Sequence, residues 1–160
     1  WTEADQAQFG AWLAHITASC GFPFTWVEDA KWLGFCQEFI PAAQPIKHQS
    51  LADWWIPAEA AKFRCEAKES AHGLEGMLQC DGWSGINFHH FIAFMMTTLK
   101  REIHTVRVHD ASAQQKTADI LYGIILDVIQ ELDKDWQVEI VAVTSDASGE
   151  SHKAQKMLQE

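Results

Sequence analysis

Basic residues are scarce in this sequence: twelve Lys and Arg stand against twenty-two Asp and Glu, for a net charge of −10. The deficit runs the whole length, five against nine over residues 1–73 and seven against thirteen over residues 74–160. A domain that grips duplex DNA draws most of its affinity from neutralising phosphates, so this stretch is not built as the main DNA grip. An acidic chain still suits a metal-dependent phosphodiester site, where carboxylates hold the cations. Long apolar runs are missing too: none reaches the ~18–20 residues of a membrane-spanning helix, which argues against a membrane partner. The four cysteines, Cys20, Cys36, Cys65 and Cys80, form no C-x-x-C pair, which disfavours a zinc knuckle. Buried free thiols in a reducing compartment are the expectation. No repeat or low-complexity tract is present. Trp1-Thr2-Glu3 has none of the features of a signal peptide, and residues 151–160 read as a helix still under way. The expectation is a segment of a longer polypeptide.

What the sequence does have is apolar: 48% hydrophobic residues against 21% charged is a composition that buries a core. The pattern changes near His72-Gly73, which divides a helical lead-in, residues 1–73, from an α/β part, residues 74–160. In the first, Phe9, Trp12, Leu13 and Ile16 fall on one helical face, and Cys20-Gly21 ends the helix. Residues 32–40 form a second apolar helix that stops at Pro41. Ser50 is placed to cap a short turn through Trp55, and Pro57 to open a third helix as far as Ser70. Trp1, Trp12, Trp26, Trp32, Trp54 and Trp55 all lie here, and packing in a small helical core is expected of them. A docking face is the alternative.

Beyond Gly73 the period shortens. Residues 77–81 read as a buried strand, 84–87 as a turn, 89–99 as a long apolar strand and 103–108 as a strand with one wet face. Ser112 and Gln115 have capping-box spacing and predict a helix over residues 112–134, with Ile120, Leu121, Ile124, Ile125, Val128 and Leu132 on its buried stripe. Residues 136–144 read as a buried strand, followed by a helix from Gly149-Glu150. Short turns pair the first three strands antiparallel, and the long helix returns the chain by a right-handed crossover. The fourth strand then lies parallel to the first. The expected fold class is α/β (α+β): a ribonuclease H-like mixed sheet in the order 3-2-1-4, with the helix of residues 112–134 packed on one face.

That order has a chemical consequence. Asp81 closes the first strand and Ser145-Asp146 the fourth, so two carboxylates stand about one strand spacing apart, ~5 Å, at one sheet edge. Such a pair can share or bridge divalent cations that ready a water or 3′-hydroxyl in phosphodiester displacement. The competing reading makes each Asp a turn former or helix cap, which Asp146 before Ser148-Gly149 also fits.

Cys80-Asp81-Gly82-Trp83-Ser84 resembles the "DxWT/S" strand end of hAT-type transposases, and residues 143–150 resemble their second-carboxylate segment, a "TDNASN"-like run. The stretches Asn87-Phe88-His89-His90-Phe91-Ile92 and His104-Thr105-Val106-Arg107-Val108-His109-Asp110 are similar to fungal hAT-like sequences. So are Gly21-Phe22-Pro23-Phe24 and Phe39-Ile40-Pro41 in the lead-in. The resemblance implies a cut-and-paste DNA transposase of the nucleus, with a Mg²⁺ (or Mn²⁺) site in which Asp81 matches the first acid and Asp146 the second. It further implies transposon-end DNA as partner and homo-oligomers formed through regions outside this segment. The family's third acid, a Glu, follows a large insertion, and no position here matches it. The segment is therefore expected to be catalytically incomplete alone and to bind the cation weakly. The alternative is a domesticated, non-enzymatic interaction module.

Other residues are weighed against plainer roles. Glu150, one helical turn past Asp146, offers a carboxylate but sits in a helix start. Trp83 shares a sheet face with Asp81 and is expected in the core, or else as a wall of the edge. His89 and His90 point to opposite faces and cannot ligate one ion together. His104 reads as half-exposed. His109-Asp110 reaches the edge of Asp81 two strand spacings away, and Arg107, Lys116 and Lys153 are the cations expected near it.

Overall fold

Thr2 and Asp5 start the first helix, α1 (Glu3–Cys20), by a reciprocal cap. The Thr2 hydroxyl accepts the Asp5 N–H and the Asp5 carboxylate accepts the Thr2 N–H. Gly21 ends it with φ 63°, a left-handed conformation that costs glycine little. The computed structural model describes residues 1–87, 89–146 and 149–159. Phe88, Ala147 and Ser148, members of the quoted motifs, lie outside the described residues, as does Glu160. The chain divides into two compact units, Trp1–Glu66 and Ala67–Glu160.

In the first unit the buried stripe of α1 is Gly10, Leu13, Ala14 and Thr17, one position round from the expected face. Trp12 and Ile16 are exposed. The reason is a contact far off in sequence: a Cβ at Gly10 would stand 2.6 Å from the Trp55 ring, so the missing side chain makes room for the indole. Thr17 is tolerated inside because its hydroxyl donates to Leu13 O at 2.7 Å and accepts the Trp26 indole N–H at 2.8 Å. A 3₁₀ turn, Phe24–Glu28, leads into α2 (Ala30–Phe39), whose first N–H groups are taken by the Asp29 carboxylate. The expected break at Ser50 and Pro57 is corrected: α3 (His48–Ser50), a π-type stretch Leu51–Trp55 and α4 (Ile56–Ala71) follow without interruption. Ser50 is itself helical and caps nothing. The wider π turn, with Ile56 N–H donating to Leu51 O, lets the helix pass Pro57, which has no N–H to give. Of the six tryptophans, Trp26, Trp32 and Trp55 pack against the core of Leu13, Ala14, Val27, Ile46 and Leu51. Trp1, Trp12 and Trp54 stand exposed.

The second unit holds β1 (Glu75–Ser84), β2 (His90–Thr98), β3 (Ile103–Asp110), α5 (Ala118–Glu131), β4 (Glu139–Ser145) and α6 (Gly149–Met157). The sheet order is β3-β2-β1-β4, with β1–β2 and β2–β3 antiparallel and β1–β4 parallel, the order read from the sequence. The β2–β3 hairpin closes on Arg101 at φ 63°. Leu78, Cys80, Phe94, Met96 and Val106 from the strands form one core with Ile124, Ile125, Val128 and Leu132, joined by Trp136 and Ala154.

Two expectations need correction here. α5 starts at Ala118, capped by the Thr117 hydroxyl, and not at Ser112. The Ser112 hydroxyl is already engaged, donating to Asp110 and accepting the His90 N–H at 3.0 Å. The strand expected to be buried, β4, is largely exposed: among the described residues it pairs only with β1, and Val141 is 57% exposed.

Candidate functional site

The parallel ladder between β1 and β4 pairs Gln79 with Thr144 and Cys80 with Ser145. Asp81 and Asp146 come next, Asp146 just past the end of β4 and Asp81 still within β1, which does not close at Asp81 as expected but stays paired with β2 as far as Ser84. Neighbouring strands lie ~5 Å apart, so the ladder delivers both residues to the same end of the sheet. Both line one cavity of about 210 Å³. Glu150 and Ser151 at the start of α6 line it as well, with His90 from β2 and Lys116 from the loop before α5.

Asp146 is anchored. Its Oδ1 accepts the Ser151 hydroxyl at 2.6 Å, which ties the end of β4 to the first turn of α6. Ser145 reinforces the joint by accepting the Gln155 side-chain N–H at 2.8 Å. Asp146 therefore both joins β4 to α6 and lines the cavity. Asp81 is exposed, and among the described residues no hydrogen bond engages its carboxylate.

The thiol of Cys80 registers both acids. Burial first, then the charge of Asp146 and, to a lesser extent, Asp81 push it from 9.0 up to about 11, against an opposing hydrogen bond from Ser145. The carboxylates of Asp81 and Asp146 are the oxygen donors that line the cavity beside it. Two outcomes follow. Cys20 and Cys65, which are exposed against the expectation of buried thiols, should label quickly with a thiol reagent at neutral pH, and Cys36 and Cys80 only on unfolding. Stability should also fall by ~2 kcal/mol as pH rises from about 9 through 11, because there the unfolded Cys80 thiol ionises and the folded one does not. Rapid labelling of all four thiols in the folded chain would contradict the burial of Cys36 and Cys80.

The remaining candidates separate. Glu150 lines the cavity; Trp83 does not, and is half-exposed beside Phe91, with ring centroids 5.7 Å apart, and so is neither core nor wall. His89 stands 3.2 Å from Ser112 Oγ. Asp110 is held below the usual carboxylate range by the Ser112 hydroxyl and N–H, and His109 contacts Gln114 at 3.2 Å. His104 is more buried than expected, its side chain 12% exposed and its ring edge-on to Trp136. Of the three cations, Arg107 pairs with Glu131 and Lys153 lies 3.9 Å from Asp119, which leaves Lys116 at the cavity. His90 and Ser151 were missed as lining residues. The alternation that puts His89 and His90 on opposite faces says that one of them faces the cavity, but not which.

All-oxygen donors suit a hard cation such as Mg²⁺ or Mn²⁺. Two aspartates supply few of the roughly six oxygens such an ion takes, and among the described residues no group of three His, Cys, Asp or Glu is assembled to hold one. The fit is that of a weak site. Compared with known families, curated proteins and solved structures, the chain matches no family model, no curated protein and no solved structure.

Proposed function

We propose that residues 74–160 are the first part of a ribonuclease H-like catalytic domain of the hAT transposase kind, acting on DNA in the nucleus, with Asp81 and Asp146 as two of its metal-holding acids. One observation carries the reading: β4 lies parallel beside β1 in a register that ends on Cys80–Ser145 and brings Asp81 and Asp146 to one cavity. A bound Mg²⁺ would supply charge neutralisation and a readied water or 3′-hydroxyl for phosphodiester displacement. Asp81 would hold it from the exposed side of the cavity. Asp146, fixed by Ser151, would hold it with little freedom to turn away. The transposon ends would be gripped, and copies of the chain joined, by parts other than these acidic residues.

The reading predicts that the 160-residue chain alone neither cuts nor joins DNA at a useful rate. Two acids leave the cation short of ligands, and misplacement on the order of 1 Å can cost ~100-fold. The net charge of −10 also repels the phosphate backbone. A longer polypeptide that adds a third carboxylate should cut in a Mg²⁺-dependent way and lose cutting on Asp81→Ala or Asp146→Ala. Incubation of both with DNA carrying the element's ends decides it. Cutting that survives both substitutions would remove the two aspartates from the site.

A second reading, a domesticated module that binds a protein partner without catalysis, is favoured by the shortage of cations. It shares the fold and predicts no metal-dependent cutting by any longer form.

A further inference from the structure

The lining of the cavity is divided by charge, and the strand order makes the division spatial. Asp81, Asp146 and Glu150 come from β1, the end of β4 and the start of α6. Lys116 and His90 come from the other side, the loop that follows β3 and the first residue of β2. The sheet runs β3-β2-β1-β4, so acid and base meet across β1.

Ser84, the last residue of β1 and the ladder partner of His90, joins the basic side. Lys116 Nζ stands 3.4 Å from Ser84 Oγ, and His90 Nδ1 stands 3.5 Å from the same oxygen. Both contacts are at the long limit of a hydrogen bond, so these donors are grouped without being consumed. Among the described residues Lys116 forms no ion pair, unlike Arg107 and Lys153. The 14-residue helix α5 also begins here: its cap Thr117 lines the cavity, which adds the positive end of a helix to the same side.

We propose that Lys116 and His90, grouped beside Ser84, form a phosphate-holding wall, so that the cavity takes one phosphodiester of a single nucleic-acid strand with its phosphate between that wall and the aspartates. The volume of about 210 Å³ suits a phosphate and part of its sugar and is too small for a duplex. This assignment rests on the proposed phosphodiester chemistry for the identity of its ligand, but not on a metal at Asp81. Lys116 positions the phosphate; it has no part in holding the cation.

The test uses the whole chain and a fluorescent thymidine tetranucleotide, in chelator and at low salt, so that no metal contributes. Lys116→Gln should weaken binding about 10-fold and flatten the dependence of log K on log salt by ~0.7, the loss of one single-strand phosphate contact. Lys116→Arg should stay within about 3-fold of wild type, and Asp81→Asn should tighten binding by relieving repulsion. Lys116 is exposed, so an unchanged melting curve should accompany each loss. Inorganic phosphate should compete, but at much higher concentration than the tetranucleotide. Equal binding by wild type and Lys116→Gln would overturn the wall, as would inorganic phosphate that fails to compete. Inorganic phosphate that binds as tightly as the tetranucleotide would overturn the nucleic-acid ligand. A Lys116-dependent affinity in a chain where Mn²⁺ ignores Asp81 would support the wall and count against the metal reading alone.

Discussion

Phe94→Ala is expected to destabilise the Ala67–Glu160 unit by ~3–5 kcal/mol, the cost of removing a large buried aromatic and leaving a cavity. Phe94 is 0% exposed, in the middle of β2, paired with Cys80 of β1 on one side and Arg107 of β3 on the other. It therefore packs the sheet at Cys80, the residue next to Asp81. Leu78, Met96 and Val106 are equally enclosed, so there is little slack for the neighbours to collapse into the space. With a typical domain stable by ~5–15 kcal/mol, this one change takes a large fraction of the total. Hydrogen exchange of the β2 amides in wild type and variant reads the effect within this unit. A loss below ~1 kcal/mol would mean that Phe94 is not the centre of the core.

The strand order was legible because the two signals that set it are local. Short turns, one of them around Arg101, force neighbouring strands antiparallel, and one long helix between the third and fourth strands forces a crossover. That Asp81 and Asp146 come to one cavity follows from that order. What was not legible depended on partners far off in sequence. Ser112 has the residue type and spacing of a helix cap, but Asp110 and the N–H of His90 claim its hydroxyl and Thr117 takes over the cap. Gly10 says nothing locally about Trp55, although that contact turns the buried face of α1. Pro57 reads as a helix start unless the π stretch before it is known. The apolar run of β4 promised burial, yet burial depends on what lies beside a strand as well as on its residues. At the site the same limit applies: Lys116 was one of three cations near the edge, and only the pairing of Arg107 with Glu131 and of Lys153 with Asp119 singles it out.

The second large effect concerns the cation. Asp81→Asn keeps the size of the side chain and removes its charge, and because Asp81 is exposed and its carboxylate accepts no hydrogen bond among the described residues, the fold should not suffer. Asp146→Asn tests the other acid at some structural cost, since Asp146 accepts the Ser151 hydroxyl. Mn²⁺ should bind the wild-type chain weakly. Each substitution should weaken it further by at least ~10-fold, the loss that removal of even an outer partner of a metal ligand already produces. The melting curve separates the two variants: unchanged for Asp81→Asn, lowered for Asp146→Asn. The measurement closest to the central claim is thus a Mn²⁺ titration of wild type and Asp81→Asn followed by electron paramagnetic resonance. The account predicts one weak site in the wild type that Asp81→Asn removes, and equal binding by the two chains would contradict it.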